Sequence, residues 1–429
     1  MAELLNAKGT KDLAPEQKIL KNYVVEKLTK MFERHGFSPM ETPTIERQDI
    51  LTAKYAGGTE ILKEIFSLSD QGKRKLALRY DLTVPLARFM GMNSQMKLPF
   101  KRYMVGNVFR DGPVATARLR EFTQCDIDIV GSALMLADAE CIKVAQQFFR
   151  AVGLEVTIEV NNRKILDGIM ASLKIPKDKH LDVILAIDKI KKIPLKEIKK
   201  EIEGKGIPKK QIESLFKALE AAKTNKEEIE RLRNLMTDEN GNEGLDEMEE
   251  LLSYVDNDNV SFSVSLARGL AYYTGTVFEI FLTNGTFKSS LTAGGRYDNM
   301  INEFLGNPKN RSYPAVGISF GIDRICHVLL SAFQFSKKSV TDVFVIPIGT
   351  LQQSLDVVNK LRAAEINTDV DLMKRGMSKN IKYADSLGIP YVLIIGENEV
   401  NAGKYTLKAL DTGKEEKLPI TKIIKKLKS

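Results

Sequence analysis

The sequence is poor in the side chains that anchor several common chemistries. It holds only three cysteines, Cys125, Cys141 and Cys326, and three histidines, His35, His180 and His327. The cysteines form no CxxC pair, and an odd, widely spread set suits a reducing compartment rather than a disulfide framework. A zinc centre, a histidine-rich metal site and a Ser-His-Asp triad are therefore not expected. Long apolar runs are missing too: stretches such as Val343–Ile348 and Tyr391–Ile395 are strand-sized, against the ~20 residues a membrane-crossing helix needs. The opening MAELLNAKGTKDLAPEQ has no charged start followed by an apolar core. No membrane span and no secretory signal are read, and a cytoplasmic location is expected. There is also no GxxxxGK[ST] phosphate loop, no GxGxxG after a strand, no HExxH and no GxSxG elbow; any nucleotide would have to be held on another scaffold.

What is present is ordinary globular material, 43% apolar and 28% charged, so disorder and fibrous folds are excluded. The 429 residues allow two to four domains. A net charge of +8 favours polyanions. Its lysines crowd residues 172–217 and the tail TKIIKKLKS, as a long ligand touched at more than one place would require.

Apolar spacing predicts a helix over 14–35 that ends at Gly36, followed by an extended piece in which Pro39 and Pro43 belong at an edge or a strand start. From Lys75 to Val130, strand-like and loop-like pieces alternate. In REFTQCDIDIVG, Asp126 and Asp128 alternate with isoleucines, which reads either as two carboxylates facing a site or, more ordinarily, as solvated acids on a half-exposed strand. Residues 164–256 carry helical periodicity and read as an inserted helical domain with a turn at GNEG (241–244). Strand character returns from 257 to 335, and after a linker in SAFQFSKKS a strand-helix-strand-helix-strand order fills 338–429. The expected layout is thus 1–163 and 257–335 for a split catalytic domain, 164–256 for its insertion, and 338–429 for a compact α/β unit.

Chemistry falls to arginines set among Gly, Tyr and Asp: Arg79, Arg110, Arg118, Arg120, Arg268, Arg296 and Arg324. The planar, always charged guanidinium is the preferred clamp for phosphate and carboxylate oxygens. Arg268 and Arg324 lie in apolar runs, where an unpaired buried charge would be costly, so both are expected to face a polar cleft.

These segments, in this order, resemble class II aminoacyl-tRNA synthetases, and within them the histidyl-tRNA synthetase family. KGTKDLAP is similar to the family's N-terminal signature. The helix ending at Gly36 with Pro43 after it resembles motif 1, the dimer element; FKRYMVGNVFRDG through REFTQCDIDIVG resembles motif 2; AVGISFGIDRI resembles motif 3. LARGLAYYTGTVFE (266–279) and AGGRYDNM (293–300) are similar to the two histidine-specific motifs, and LRYDLTVPLAR (78–88) to the segment that holds the substrate amino group.

The resemblance implies an α+β fold: an antiparallel-sheet catalytic domain with a helical insertion, plus a C-terminal α/β anticodon-binding domain. It implies a ligase that uses ATP and Mg²⁺ to activate L-histidine and charge tRNA(His), working as a homodimer. Carried over by resemblance, Asp81, Thr83 and Gln124 hold the α-ammonium, Asp128 and Tyr273 read the imidazole, and Tyr272 and Tyr297 complete an aromatic wall. A carboxylate facing a hydroxyl suits a ring with one donor and one acceptor nitrogen. Arg110 and Arg324 match the arginines on the ATP phosphates, Arg118 joins them, and Arg268 matches the family's extra arginine beside the reacting carboxylate. Arg110 and Arg268 are the expected catalytic pair; no metal ligand is assigned. The sequence departs from the family at Gly112, where an acid that contacts adenine is usual and only the adjacent Asp111 is acidic, and at Ala271, where many members carry Asp. Non-catalytic relatives share the fold, but commonly lose the arginine at 268 or the C-terminal domain, and this chain keeps both.

Overall fold

The computed structural model describes residues 3–53, 62–115, 117–191, 193–268, 272–306, 312–332 and 337–428. They divide into two compact units, Met1–Lys11 with Val24–Val328, and Asp12–Tyr23 with Leu329–Ser429. The helix Pro15–Arg34 forms where its apolar spacing predicts, and Gly36 follows it with φ +76°, a left-handed turn that suits glycine.

In the first unit the strands run, in chain order, β1 (Ser38–Pro39), β2 (Ile45–Arg47), β3 (Ser67–Ser69), β4 (Lys75–Leu78), β5 (Phe100–Phe109), β6 (Glu121–Val130), β7 (Val156–Asn162), β8 (Val260–Phe262), β9 (Thr276–Leu282), β10 (Thr292–Arg296) and β11 (Ala315–Gly321). Eight of them form one sheet in the order β1-β5-β6-β11-β10-β9-β7-β8, and β2, β4 and β3 form a small second sheet. The large sheet is antiparallel from β5 to β7 and parallel only at its two outer pairs. Pro39, which has no N–H to give to a ladder, sits on edge strand β1.

β6 lies between β5 and β11, so both of its edges are paired and it is a central strand of the sheet. Cys125 pairs in register with Phe320. Phe320 in turn packs against Phe32 and Phe148, with ring centroids at 5.6 Å in both cases. That aromatic layer is the apolar side of the sheet, each fully buried ring contributing roughly 1.5–3 kcal/mol. By the two-residue repeat of a strand, Gln124, Asp126 and Asp128 share the other face. Asp126 and Asp128 are 3% and 2% exposed, which corrects the reading of solvated acids on a half-exposed strand: β6 is central, and its carboxylates are shut away.

The described residues of 163–254 form six α-helices and one 3₁₀ turn, beginning with Arg163–Ser172 and ending with Glu239–Tyr254. The expected GNEG turn is instead the first turn of the last helix, capped by Asp238, which accepts the Gly241 N–H at 2.9 Å. Its glycines serve close approach: a Cβ at Gly168 would lie 2.5 Å from the Gly241 Cα. Tertiary packing here overrides glycine's poor helix propensity. The helix Ile322–Ala332 runs into the first residues of the expected linker, and residues 333–336 lie outside the described chain.

The second unit contains β12 (Val343–Pro347), β13 (Thr368–Val370), β14 (Tyr391–Ile395), β15 (Tyr405–Ala409) and β16 (Glu415–Leu418), in the order β13-β12-β14-β15-β16. β12 is parallel to both neighbours, and β14 to β16 are antiparallel. The unbroken apolar run of β12 follows from burial on two sides: Val343 and Val345 pack with Val358, Leu361 and Ile423, while Phe344 and Ile346 pack with Ala384 and Ile389.

Candidate active site

The polar face of the large sheet opens where two glycines interrupt a cross-strand row. Arg102 on β5 is opposite Asp128 on β6, Asp128 is opposite Gly317 on β11, and Gly317 is opposite Gly295 on β10. A Cβ on Gly317 would lie 2.0 Å from the Asp128 Oδ1, and one on Gly295 would lie 2.8 Å from the Tyr273 ring. Any larger residue in either place would fill the space between Asp128 and Tyr273. With glycine there, a small cavity of about 80 Å³ forms, and Asp81, Thr83, Gln124, Asp128, Tyr272, Tyr273 and Tyr297 all line it.

Most of these side chains are fixed by their neighbours. Asp81 precedes the helix Thr83–Met92 and accepts the Val84 N–H at 3.1 Å; burial pushes its carboxyl up to about 6. Gln124 donates to Ser319 Oγ at 2.6 Å and leaves its buried Oε1 without a hydrogen-bond partner. Burial lifts Asp126 to about 7, with Arg102 opposing the rise and Asp128 adding to it. Tyr297 donates its hydroxyl to Asp128. Tyr272 stands against Tyr273 at 4.8 Å and against Tyr297 at 6.1 Å between ring centroids, as an aromatic wall requires.

Next to it lies a larger cavity of about 330 Å³, with Arg110, Arg118, Arg268 and Arg324 on its wall. Arg110 donates to the Tyr80 carbonyl at 3.0 Å and lies over the Phe122 ring at 5.2 Å. Arg324 donates to the Ser290 carbonyl at 2.7 Å, and Arg118 reaches Glu64 at 3.3 Å. Arg268 is held by Glu279 at 2.6 Å and reaches the Tyr273 hydroxyl at 3.5 Å. Burial holds the Arg324 guanidinium below its ordinary range, and the charges of Arg110 and Arg118 push it the same way. Cations pressed together in this manner are relieved by an anion. For Arg268, burial works against the charge, but the Tyr273 and Glu279 side chains outweigh it and raise the pKa.

Arg79, Arg120 and Arg296 do not belong to this cluster, which corrects their place among the candidate clamps. Arg79 binds the Thr42 and Asn107 carbonyls at 2.7 and 2.9 Å. Arg120 pairs with Asp111 at 3.0 Å, so Asp111 is turned to its own partner. Arg296 is clamped by Asp138, Asp298 and the Ser132 carbonyl beneath the sheet. Each is a structural arginine; the partners of Arg79, and Asp138 for Arg296, lie far away in sequence, whereas Arg120 is held within its own loop. Gly269 and Ala271 lie outside the described residues.

Sequence reasoning missed Arg102, Glu64 and Glu279. The Glu64 carboxylate occupies the space beside Gly112, 2.5 Å from where a Cβ on that glycine would be, and lines the larger cavity. Glu279 stands in the quoted block TVFE, but its salt bridge to Arg268 needs the fold to be visible.

Residues 9–325 match the family model described as histidyl-tRNA synthetase, and residues 342–429 match the anticodon binding domain model. The chain belongs to the histidyl-tRNA synthetase family. It is 44% identical to histidine–tRNA ligase 1 of Bacillus cereus, over 98% of this chain and 96% of that protein. It is 41% identical to histidine–tRNA ligase 2 of Shouchella clausii, over 97% and 98%. The crystal structure of histidyl-tRNA synthetase from Nostoc superposes with a TM-score of 0.88 at 30% identity, covering 100% of this chain and 99% of that one. The synthetase accordingly activates L-histidine with ATP to histidyl-adenylate, then transfers the histidyl group to the 3′ end of tRNA(His), releasing pyrophosphate and AMP in turn. Among the described residues, no helix is long and apolar enough to cross a membrane.

Proposed function

We propose that the smaller cavity takes L-histidine, that the larger one takes ATP, and that the reacting atoms meet at the boundary between them. One observation carries the reading: Arg110, Gln124, Arg268, Ala293 and Ser319 line both cavities. A substrate carboxylate in the small cavity and an α-phosphate in the large one would both be within the reach of Arg110 and Arg268.

In this reading the α-ammonium lies against Asp81, Thr83 and the unpartnered Gln124 Oε1, an acceptor suited to an N–H donor. Asp128 accepts from one imidazole nitrogen, Tyr273 turns its hydroxyl to the other, and Tyr272 and Tyr297 flank the ring. A pocket that engages both nitrogens rejects rings lacking them by ~10⁴ or more, which makes an editing site unnecessary. Arg110, Arg118 and Arg324 receive the phosphates. A histidine carboxylate oxygen attacks the α-phosphorus as the bond to the pyrophosphate oxygen breaks, and Arg110 and Arg268 neutralise the charge that builds on the non-bridging oxygens. Positioning and electrostatics supply the catalysis, because the nucleophile is already ionised. The terminal ribose hydroxyl of tRNA then attacks the carbonyl carbon, and AMP leaves.

Among the described residues, no group of three or more His, Cys, Asp or Glu side chains could hold a metal by itself. Mg²⁺ instead suits the site as an ion carried on the triphosphate, which takes only one or two protein carboxylates; Glu64 and Asp323 are on the wall of the larger cavity. The ion would add positive charge at the phosphate oxygens. We also place the enzyme in the cytoplasm with its tRNA substrate, as a homodimer through the motif 1 region, with the layout of 1–163, 164–256, 257–335 and 338–429 as its domains. In it, the insertion steadies the acceptor arm and the last domain reads the anticodon.

The cavity assignment is tested by a pair of substitutions in ATP–pyrophosphate exchange. Asp128→Asn should raise KM for histidine and leave KM for ATP near its starting value, and Arg324→Ala should do the reverse. If both constants move together in both variants, the separate allocation fails.

A further inference from the structure

We propose that Arg102 is a positioning residue of the histidine pocket, a cation buried beneath its floor that keeps the carboxylate of Asp128 in the acceptor form. The proposal deepens the reading in which Asp128 meets the imidazole, and it rests on that reading.

The geometry is specific. Arg102 is wholly buried and lies directly across the β5–β6 ladder from Asp128, with Nη2 2.6 Å from Oδ2. The same Nη2 donates to the Leu82 carbonyl at 3.0 Å, just before the helix that follows Asp81. Its Nε and Nη1 are buried with no hydrogen-bond partner. An arginine left with unmatched N–H groups is a poor way to stabilise a sheet, and well-packed apolar residues usually replace a buried ion pair without loss. The charge itself is what the position supplies.

Its reach covers the pocket floor. From β5 the guanidinium's charge acts on Asp126 and Asp128 on β6, on Asp81 ahead of the helix Thr83–Met92, on the Tyr297 hydroxyl after β10, and, from the other side of β6, on the Cys125 thiol. Cys141, on the helix Met135–Ala151, also acts on Asp128 and Tyr297; Arg110, Tyr80 and Tyr272 act on Asp81, and Arg79 on Asp126. Burial drives all three carboxyls towards the protonated form, and Arg102 opposes it in each case. A protonated Asp128 would present a donor where the imidazole N–H needs an acceptor. An ionised Asp128 without Arg102 would place an uncompensated buried charge at the base of the small cavity. The ion pair allows an acceptor that carries little net charge, matched to the neutral imidazole.

The test is the pH dependence of histidine KM in pyrophosphate exchange, with histidine affinity measured by calorimetry alongside. The binding-competent Asp128 is ionised, so affinity is present above its pKa and lost as pH falls through it. Removing Arg102 raises that pKa and moves the loss to higher pH. Arg102→Met, with Arg102→Gln as a second neutral variant, should raise histidine KM at pH 7 about tenfold for each unit the acid limb moves, with recovery by pH 9 and ATP KM unchanged. Arg102→Lys should keep the acid limb near its wild-type position. Free histidine titrates identically in every assay, so differences between the profiles belong to the pocket. An increase in KM that is equal at every pH would make Arg102 merely structural; an unchanged KM at pH 7, or a lysine variant that behaves like methionine, would also overturn the proposal. Asp128→Asn separates the two levels: if it leaves histidine KM unaltered, the reading of Asp128 has failed, whatever the Arg102 variants do.

Discussion

Gly317 faces Asp128 across the β6–β11 ladder, and its missing side chain leaves the carboxylate open to the pocket. Gly317→Ala puts a methyl group where Asp128 Oδ1 now lies, so the carboxylate must turn or the strands must part. The expected result is a stability loss of about 1–3 kcal/mol from overpacking, with histidine KM raised far more than ATP KM. Thermal melts and exchange kinetics on the same preparation check both halves.

Arg268 is braced by Glu279 and borders both cavities. Arg268→Ala should lower the single-turnover rate of adenylate formation by roughly 10²–10³, the scale for losing one donor to a developing charge, while histidine binding changes little. Glu279→Gln should give a smaller loss of the same kind, since the guanidinium stays but loses its brace. An unchanged rate in the first variant removes Arg268 from the reacting centre.

Asp126 is pushed up to about 7 in the folded chain by burial, against ~3.9 in an unfolded one. The folded state therefore binds the extra proton between those values. The contribution of this group to stability is full below the unfolded pKa and is lost as pH rises through about 7. Asp126→Asn should thus stabilise the protein at pH 8 relative to wild type and gain little at pH 4, each tenfold change in proton affinity being worth ~1.4 kcal/mol. Denaturant melts across that range measure the crossing.

The helical segments and the last α/β unit were legible from periodicity, because their apolar faces repeat within one element. The polar face of β6 was legible too, since Gln124, Asp126 and Asp128 fall at every second residue. That this face is buried was not, because burial depends on β11, far away in the chain. Arg102 escaped notice for the same reason: only the register across β5 and β6 sets it against Asp128. The arginines show the limit of composition. Arg296 and Arg324 look alike in sequence, but Asp138 claims one and the cavity claims the other. The GNEG segment misled because glycines usually signal turns, and here they admit a neighbouring helix.

With a net charge of +8 and lysines grouped in the insertion and the tail, tRNA binding should depend on salt where adenylation does not. KM for tRNA should rise tenfold or more, roughly, between 50 and 200 mM salt, linearly on a log–log plot. Histidine-dependent pyrophosphate exchange should change little over the same range. Parallel losses in the two assays would trace the salt effect to the catalytic cavities and not to phosphate contacts along the tRNA.

The account depends on one arrangement, an imidazole against Asp128 and an acyl phosphate between Arg110 and Arg268. A crystal structure with a non-hydrolysable sulfamoyl analogue of histidyl-adenylate reads it directly. The prediction is a ring nitrogen within hydrogen-bond distance of Asp128, the other facing Tyr273, and the sulfamoyl oxygens on Arg110 and Arg268. An analogue bound with its imidazole away from Asp128, or with its sulfamoyl group clear of both arginines, would contradict it.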